Sequence, residues 1–387
     1  MKIALSSISR AHLFALARGL SQSGHLAKLY SAHPYFMIRP HNIPRELVCN
    51  FPWVHIPTMA LFRYGAMPQR LDNALNRFDH ASYAAFVARN LVDMDIFHGL
   101  SGHNLKAGLL AKKRGASYVC DRGSSHIAYQ DKIMQEEGVR MGVQVEPIDP
   151  FGVETELAEY AAADRIFVPS LFARRTFIEA GIPAQKMWCL PYGVNLERWH
   201  TVKVASDGVF RVVFLGSLSL RKGIHDLLAA FKQVSLPKSE LVLIGSRSPE
   251  TERLIRHDKL PSNVVLTGRL PHNQVLEWFS RSSVFVLPSI EDGFGLVIME
   301  AMACGLPVIA TANTGGPGVI EDGINGFVVP IRSPEAIAEK LLFLFQHRDQ
   351  LQAMQEAVKA SIRLTKGWDT FTQGMLGLYL QLINSVK

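Results

Sequence analysis

Residues 288–307 read PSIEDGFGLVIMEAMACGLP, and this stretch decides the fold. Residues 282–287 (SSVFVL) lead into it with the composition of a buried strand. Pro288 ends that strand, because proline has no N–H to give a neighbouring strand. Asp292 stands where a helix N-cap would. Gly293 and Gly295 carry no Cβ, so backbone N–H groups there can approach a ligand closely. Residues 296–303 then read as helix, with Gly305 as its stop and Pro307 beyond. Inside that apolar helix sits Glu300, eight residues after Asp292. A buried glutamate needs a partner, and pairing with a nearby base is its plain structural reading.

The same strand–loop–helix unit recurs outward from this stretch. Residues 210–215, 241–244, 264–267 and 308–310 read as further apolar strands, each followed by a loop. Strands alternating with helices predict a parallel sheet with its ligand edge at the strands' C-terminal ends. The loop SLSLRKG (217–223) opens a helix reaching about Val234. Arg221 and Lys222 thereby stand beside unpaired helix N–H groups, the makings of a diphosphate site. Alone the pair reads as a solvated loop. It gains meaning because Asp292, Gly293, Gly295 and Glu300 follow a later strand on the same edge. A helical pattern runs from Ser333 to about residue 362, and 368–383 form a last amphipathic helix.

The N-terminal half opens β-α-β, with strands at 2–6 and 26–32 around a helix at 11–23. Residues 33–66 show poor periodicity and are expected to be irregular, a mobile loop over an acceptor site. Residues 67–91 return to a helical pattern. Asp93 and Asp95 form a D-x-D triplet at a helix–strand turn, where two acids read as turn residues more readily than as metal ligands. Strands at 95–100 and 117–120 follow, with a helix at 104–114 between them. Polar residues 121–126 (DRGSSH) come directly after the second strand, which singles out His126 among the histidines. Further α/β units fill 153–194. The polar run 195–207 reads as a linker. The expected division is a domain at 1–200, a second at 201–365, and residues 366–387 crossing back to the first.

The bulk properties narrow the partners. A net charge of +7 favours anionic ones: nucleotides, phosphorylated substrates or anionic lipid. The basic residues form no run of five, so nucleic acid is not expected. Four cysteines without a CxxC read as reduced, apolar residues and give little support to a zinc site. The first residues do not form a signal peptide, and no apolar run approaches the ~18 residues of a membrane span. A cytoplasmic protein is expected, with peripheral contact at the inner membrane surface compatible with the charge. Dinucleotide, P-loop, zinc-protease and esterase fingerprints are missing; Gly316-Pro317-Gly318 is followed by Glu321 where the dinucleotide pattern needs glycine.

These residues together resemble the retaining glycosyltransferases of the GT-B fold, family four (glycosyl transferases group 1). The resemblance is carried by DGFGLVIME (292–300) and AMACGLPVIAT (301–311), supported by FLGSLSLRKG (214–223), TGRL (267–270), TGGPGVIEDGINGFVV (314–329) and LPYGVN (190–195). It implies an α/β fold of two Rossmann-like domains facing across a cleft. The implied activity moves a sugar from a nucleotide-diphosphate sugar to a glycan, a lipid-linked or a small-molecule acceptor. It implies that Glu300 binds the nucleotide ribose and that Asp292, with Gly293, Phe294 and Gly295, holds the donor sugar. Lys222 would contact the diphosphate, Arg269 and Leu270 would border the base, and His126 would lie near the transferred sugar. Catalysis would need no metal and no cofactor, the departing phosphate helping to deprotonate the acceptor. Two departures stand out. Asp292 replaces the common glutamate and is one methylene shorter, and Gly216-Ser217 stands where Gly-Arg is frequent, leaving Arg221 to substitute. A nucleotide-sugar epimerase on the same fold and a non-catalytic nucleotide-sugar-binding protein are the competing expectations.

Overall fold

The computed structural model describes residues 1–9, 12–64, 69–205, 207–257, 260–364 and 367–386. The expected helix starts at Ala11 and Met67, and the boundary at residues 365 and 366, lie outside the described residues. Two sheets organise the chain. The first contains β1 (Ile3–Ser7), β2 (Leu26–Ser31), β3 (Val48–Asn50), β4 (Ile96–Leu100), β5 (Ser117–Asp121), β6 (Arg165–Val168) and β7 (Met187–Cys189) in the order β3-β2-β1-β4-β5-β6-β7. The second contains β8 (Phe210–Leu215), β9 (Ser239–Ile244), β10 (Val264–Gly268), β11 (Val284–Leu287), β12 (Val308–Thr311) and β13 (Gly326–Val329) in the order β10-β9-β8-β11-β12-β13. Every pairing in both sheets is parallel.

The parallel arrangement follows from composition. Strands such as IALSS, VFVL and VIAT are buried along their whole length, as both faces of a helix-covered parallel sheet require. Each sheet reverses its winding once, between β1 and β4 in the first and between β8 and β11 in the second. In open parallel sheets the crevice for ligands lies at the C-terminal ends of the strands at such a point. Here the two crevices face each other. The fold is that of two Rossmann-like domains across a cleft.

Three local readings need correction. Residues 33–64 are largely regular where an irregular loop was expected: after the short edge strand β3, a helix runs Pro52–Tyr64. Its periodicity was hidden because its outward face carries Trp53, Met59 and Leu61, all exposed. A helix at Ile127–Met141, ended by Gly142 in the left-handed conformation, fills a stretch given no element above. Helix Leu296–Ala303 is capped by Gly295 at φ +73°, not by Asp292.

The last helix, Gly367–Val386, packs back on the first domain. Its Tyr379 is fully buried and its hydroxyl lies 2.5 Å from His98 Nδ1 on β4. Asp93 and Asp95 sit at the opposite end of β4 from the cleft. Both are bound by Lys2: Asp93 by its ammonium at 2.7 Å, Asp95 by its backbone N–H at 2.6 Å.

Candidate active site in the interdomain cleft

A cavity of about 440 Å³ lies between the two sheet edges. From the second domain it is lined by Gly216 after β8, by Lys222, and by Asp292, Phe294 and Gly295 after β11. From the first it is lined by Ser9 and His12 after β1, and by Arg122 and Ser124 after β5. The stretch 288–307 therefore supplies one wall. Lys222 Nζ is hydrogen-bonded to the Asp292 carboxylate. Burial pushes that carboxyl up, but the charges of Lys222 and Arg221 hold it below the usual carboxylate range. The resulting cation–carboxylate pair at a helix N-terminus can hold sugar hydroxyls and phosphate oxygens together.

Glu300, one turn along the helix, faces an adjoining cavity of about 340 Å³, which shares His12 and Leu296 with the first. Arg198 and Trp199 stand beside it there. Burial pushes the Glu300 carboxyl up to about 7 against the opposing pull of Arg198 and a Trp199 hydrogen bond.

Other residues singled out in the sequence lie elsewhere. Arg221 does not line the cavity: its Nη1 is 3.0 Å from Glu291 Oε2. Gly293 contacts protein where a ligand approach was expected. A Cβ placed there would lie 2.1 Å from Gly123 O and 2.4 Å from Ser124 Cα, in the opposite domain. Its carbonyl accepts from Ser170 Oγ at 2.5 Å. Arg269 is exposed beyond edge strand β10, 3.3 Å from Ser246 Oγ, and Leu270 follows it, half-buried; neither lines these two cavities. His126 is buried between Tyr160 and Phe177, at ring-centroid distances of 5.3 and 5.0 Å. Burial, and secondarily Arg122, push it down to about 4. It borders a separate hollow with Tyr129, Lys132 and Glu179, so the imidazole at the Lys222–Asp292 cavity is that of His12.

Two groups that sequence reading passed over hold the domains together. Glu291 is fully buried. It accepts from Ser124 and Ser125 hydroxyls, each at 2.8 Å, and from Gln130 at 3.2 Å across the cleft, while pairing with Arg221 on its own side. The signal was the acid next to Asp292, which only its cross-domain neighbours explain. Glu137, His225 and Asp226 form, among the described residues, the set whose donor atoms converge closely enough for a metal ion. Arg332 and Arg140 already bond Glu137, at 2.7 and 2.6 Å, so the cluster is an interdomain ion network with its own cations.

Comparison with known proteins agrees with this architecture. Residues 197–361 match the family described as "Glycosyl transferases group 1". That segment is the second domain, and the whole chain has the GT-B fold. A D-inositol 3-phosphate glycosyltransferase of Xylanimonas cellulosilytica is 29% identical over 223 residues, 52% of each chain. A GDP-mannose-dependent alpha-(1-6)-phosphatidylinositol monomannoside mannosyltransferase of Mycobacterium tuberculosis is 28% identical over 54% of this chain and 59% of its own. The chain spans about half the length of the curated relatives it matches. Among solved structures, Anabaena HepE in complex with UDP and glucose superposes with a TM-score of 0.70, at 17% identity, over 98% of this chain and all of its own. A sucrose-phosphate synthase from Thermosynechococcus elongatus gives 0.66 at 20% identity over the whole of both chains. Among the described residues, no helix is long and apolar enough to cross a membrane.

Proposed function

We propose that the protein is a hexosyltransferase. It moves a sugar from a nucleotide-diphosphate donor to a glycan, lipid-linked or small-molecule acceptor, with retention of anomeric configuration and without a metal. The observation that carries this reading is the single cavity shared by two facing switch points, with the Lys222–Asp292 pair on one wall and Arg122 and His12 on the other. Lys222 and the N-terminus of helix Leu296–Ala303 supply positive potential for the diphosphate as it leaves. Asp292 accepts hydrogen bonds from sugar hydroxyls, and Glu300 in the adjoining cavity accepts them from ribose. The acceptor enters from the first domain, and closing the cleft keeps water from the reacting centre. Retention and metal independence are carried by the motif resemblance. The donors bound by or named for the relatives make UDP-glucose and GDP-mannose the first to try.

The test is incubation with each labelled donor, with and without acceptors, in EDTA. Nucleoside diphosphate released only with acceptor, and a product of unchanged anomeric configuration by proton NMR, are expected. A changed sugar still attached to nucleotide would show epimerisation instead. Donor binding without turnover under any acceptor would reduce the protein to a binding module.

A further inference from the structure

The helical hairpin of the first domain, Pro52–Tyr64 followed by Gln69–Arg89, has its polarity reversed. A helix on a globular surface turns apolar residues inward and polar ones to water. In Pro52–Tyr64 the buried residues, among those described, are His55 and Thr58, while the exposed ones are Trp53, Pro57, Met59, Ala60 and Leu61. The second helix holds the buried histidine: His55 Nδ1 lies 2.7 Å from Asp79 Oδ2, and Asp79 is buried as well. That helix continues the outward apolar face with Leu71, Ala74 and Phe78, all exposed and spaced for one helix side. Trp53 and Phe78 reach 79% and 62% exposure, so neither is tucked under a neighbour. Arg77, bonded to Asp149 at 2.8 Å, lies over the exposed Phe151 ring, 5.4 Å from its centroid, and carries the face onto helix Pro150–Ala162. The hairpin stands beside the cleft. The Tyr83 and Ser6 hydroxyls are hydrogen-bonded at 3.1 Å, which sets the level of Tyr83 at the C-terminal end of β1. From there helix Gln69–Arg89 descends toward the start of β4, so its earlier residues rise past the strand ends. Leu71, twelve residues before Tyr83, stands roughly 18 Å beyond that level at about 1.5 Å per residue.

We propose that this hairpin docks on an anionic lipid bilayer, with Trp53, Leu61, Leu71 and Phe78 entering the interface. An apolar surrounding explains the reversed polarity. The apolar side chains leave water there, while the His55–Asp79 pair stays inside the protein, where polar groups at a membrane are kept. The charges choose the occupant. The exposed residues of the two helices include Arg70, Arg77 and Arg89 and, among those described, no acid. A second copy meeting the same face in a two-fold contact would set arginine against arginine. A bilayer of anionic lipid sets them against phosphate instead. Arginine stems can lie along the apolar face while their guanidinium groups stay at headgroup level, as on helices that rest in the plane of an interface. The net charge of +7 acts in the same direction. The docked orientation turns the first-domain side of the cleft to the bilayer. Resting on the transfer reading, this makes the lipid-linked acceptor the one delivered there.

The experiment mixes the full chain with vesicles of phosphatidylcholine alone, or of phosphatidylcholine and phosphatidylglycerol in equal parts, and reads the bound fraction by sedimentation. Binding to the anionic vesicles, weak binding to the neutral ones, and release by salt are expected. Each large apolar side chain that enters the interface strengthens binding about tenfold, so Trp53→Ser combined with Leu61→Ser is expected to lower the partition coefficient about 100-fold. Arg70→Gln is expected to lower it about fivefold, the share of one arginine near an anionic surface. Trp53→Phe keeps the apolar volume. It is expected to bind as wild type does and to lose the blue shift in tryptophan fluorescence that the vesicles cause. Wild-type protein that stays in solution with the anionic vesicles overturns the inference. So does a double variant, folded by circular dichroism, that binds as well as wild type, or a blue shift that persists in Trp53→Phe, since either places the contact elsewhere. A dimer by light scattering that the double variant dissolves gives the face to a second copy and overturns the lipid assignment. None of these readouts needs turnover, so failure of the transfer reading leaves the docking result standing and removes only the acceptor that docking delivers.

Discussion

The Glu300 carboxyl makes donor binding a titration. If ribose hydroxyls donate to Glu300, the ionised form is the one that binds. With a midpoint of about 7, roughly one site in eleven is ionised at pH 6 and ten in eleven at pH 8. Affinity should therefore rise about tenfold between those values, or ~1.4 kcal/mol. Isothermal titration with UDP-glucose and GDP-mannose suits the measurement, because their diphosphate esters do not titrate in this range. Glu300→Gln should bind with little pH dependence. At pH 8 it should also bind about 10- to 100-fold more weakly than wild type, as loss of a charge-assisted hydrogen bond implies. His12 and His41 border the same cavity and remain in the variant, so the difference between the two proteins isolates Glu300. A Glu300→Gln protein that keeps the tenfold pH dependence, or binds as tightly as wild type at pH 8, would refute the ribose assignment.

Three further outcomes are expected. Gly293→Ala should hold the cleft ajar, since its Cβ would meet the Gly123 carbonyl at 2.1 Å; small-angle scattering should show a larger radius of gyration, and unchanged size and turnover would count against the closed contact. Glu291→Ala strips four hydrogen-bonding partners at once, among them the part-exposed Arg221, and should cost about 1–3 kcal/mol in urea unfolding, as leaving polar partners unsatisfied does. A cost near zero would mean that Glu291 is not a latch. Glu159 is fully buried, and burial pushes its carboxyl up to about 7. Its folded value lies above its unfolded one, so the native state keeps a proton that the unfolded chain releases near pH 4.5. Stability should fall by about 3 kcal/mol as pH rises through 4.5 to 7, and Glu159→Gln should abolish that part of the slope.

The sheet of the second domain was legible because its strands are short, apolar and separated by glycine stops. Residues 210–215 match β8 to the residue, and the run 282–287 contains β11. The first domain was harder to read. Helix Pro52–Tyr64 turns apolar side chains outward, which erases the periodicity that marks a helix. At the site, Lys222 and Asp292 were found because a glycine-bearing loop announces them. His12 was not, because its significance lies in Asp121, more than a hundred residues away in sequence and 2.6 Å away in space. Arg221 and Gly293 were identified as unusual residues but given ligand roles, whereas their contacts are to Glu291 and to the opposite domain. A local pattern shows that a backbone approaches something closely and leaves open whether that something is a ligand or the protein itself.

Tyr379 belongs to the first domain by contact and to the end of the described chain by sequence. A ribosome makes the N-terminal domain first, and domains generally fold as they emerge. Here the first sheet emerges without the helix that covers it, and His98 waits for its hydroxyl partner until the whole second domain has been synthesised. The half of the protein made first is therefore the half finished last. Nascent chains stalled before residue 367 should expose an uncovered face of the first domain to chaperones, whatever the state of the second.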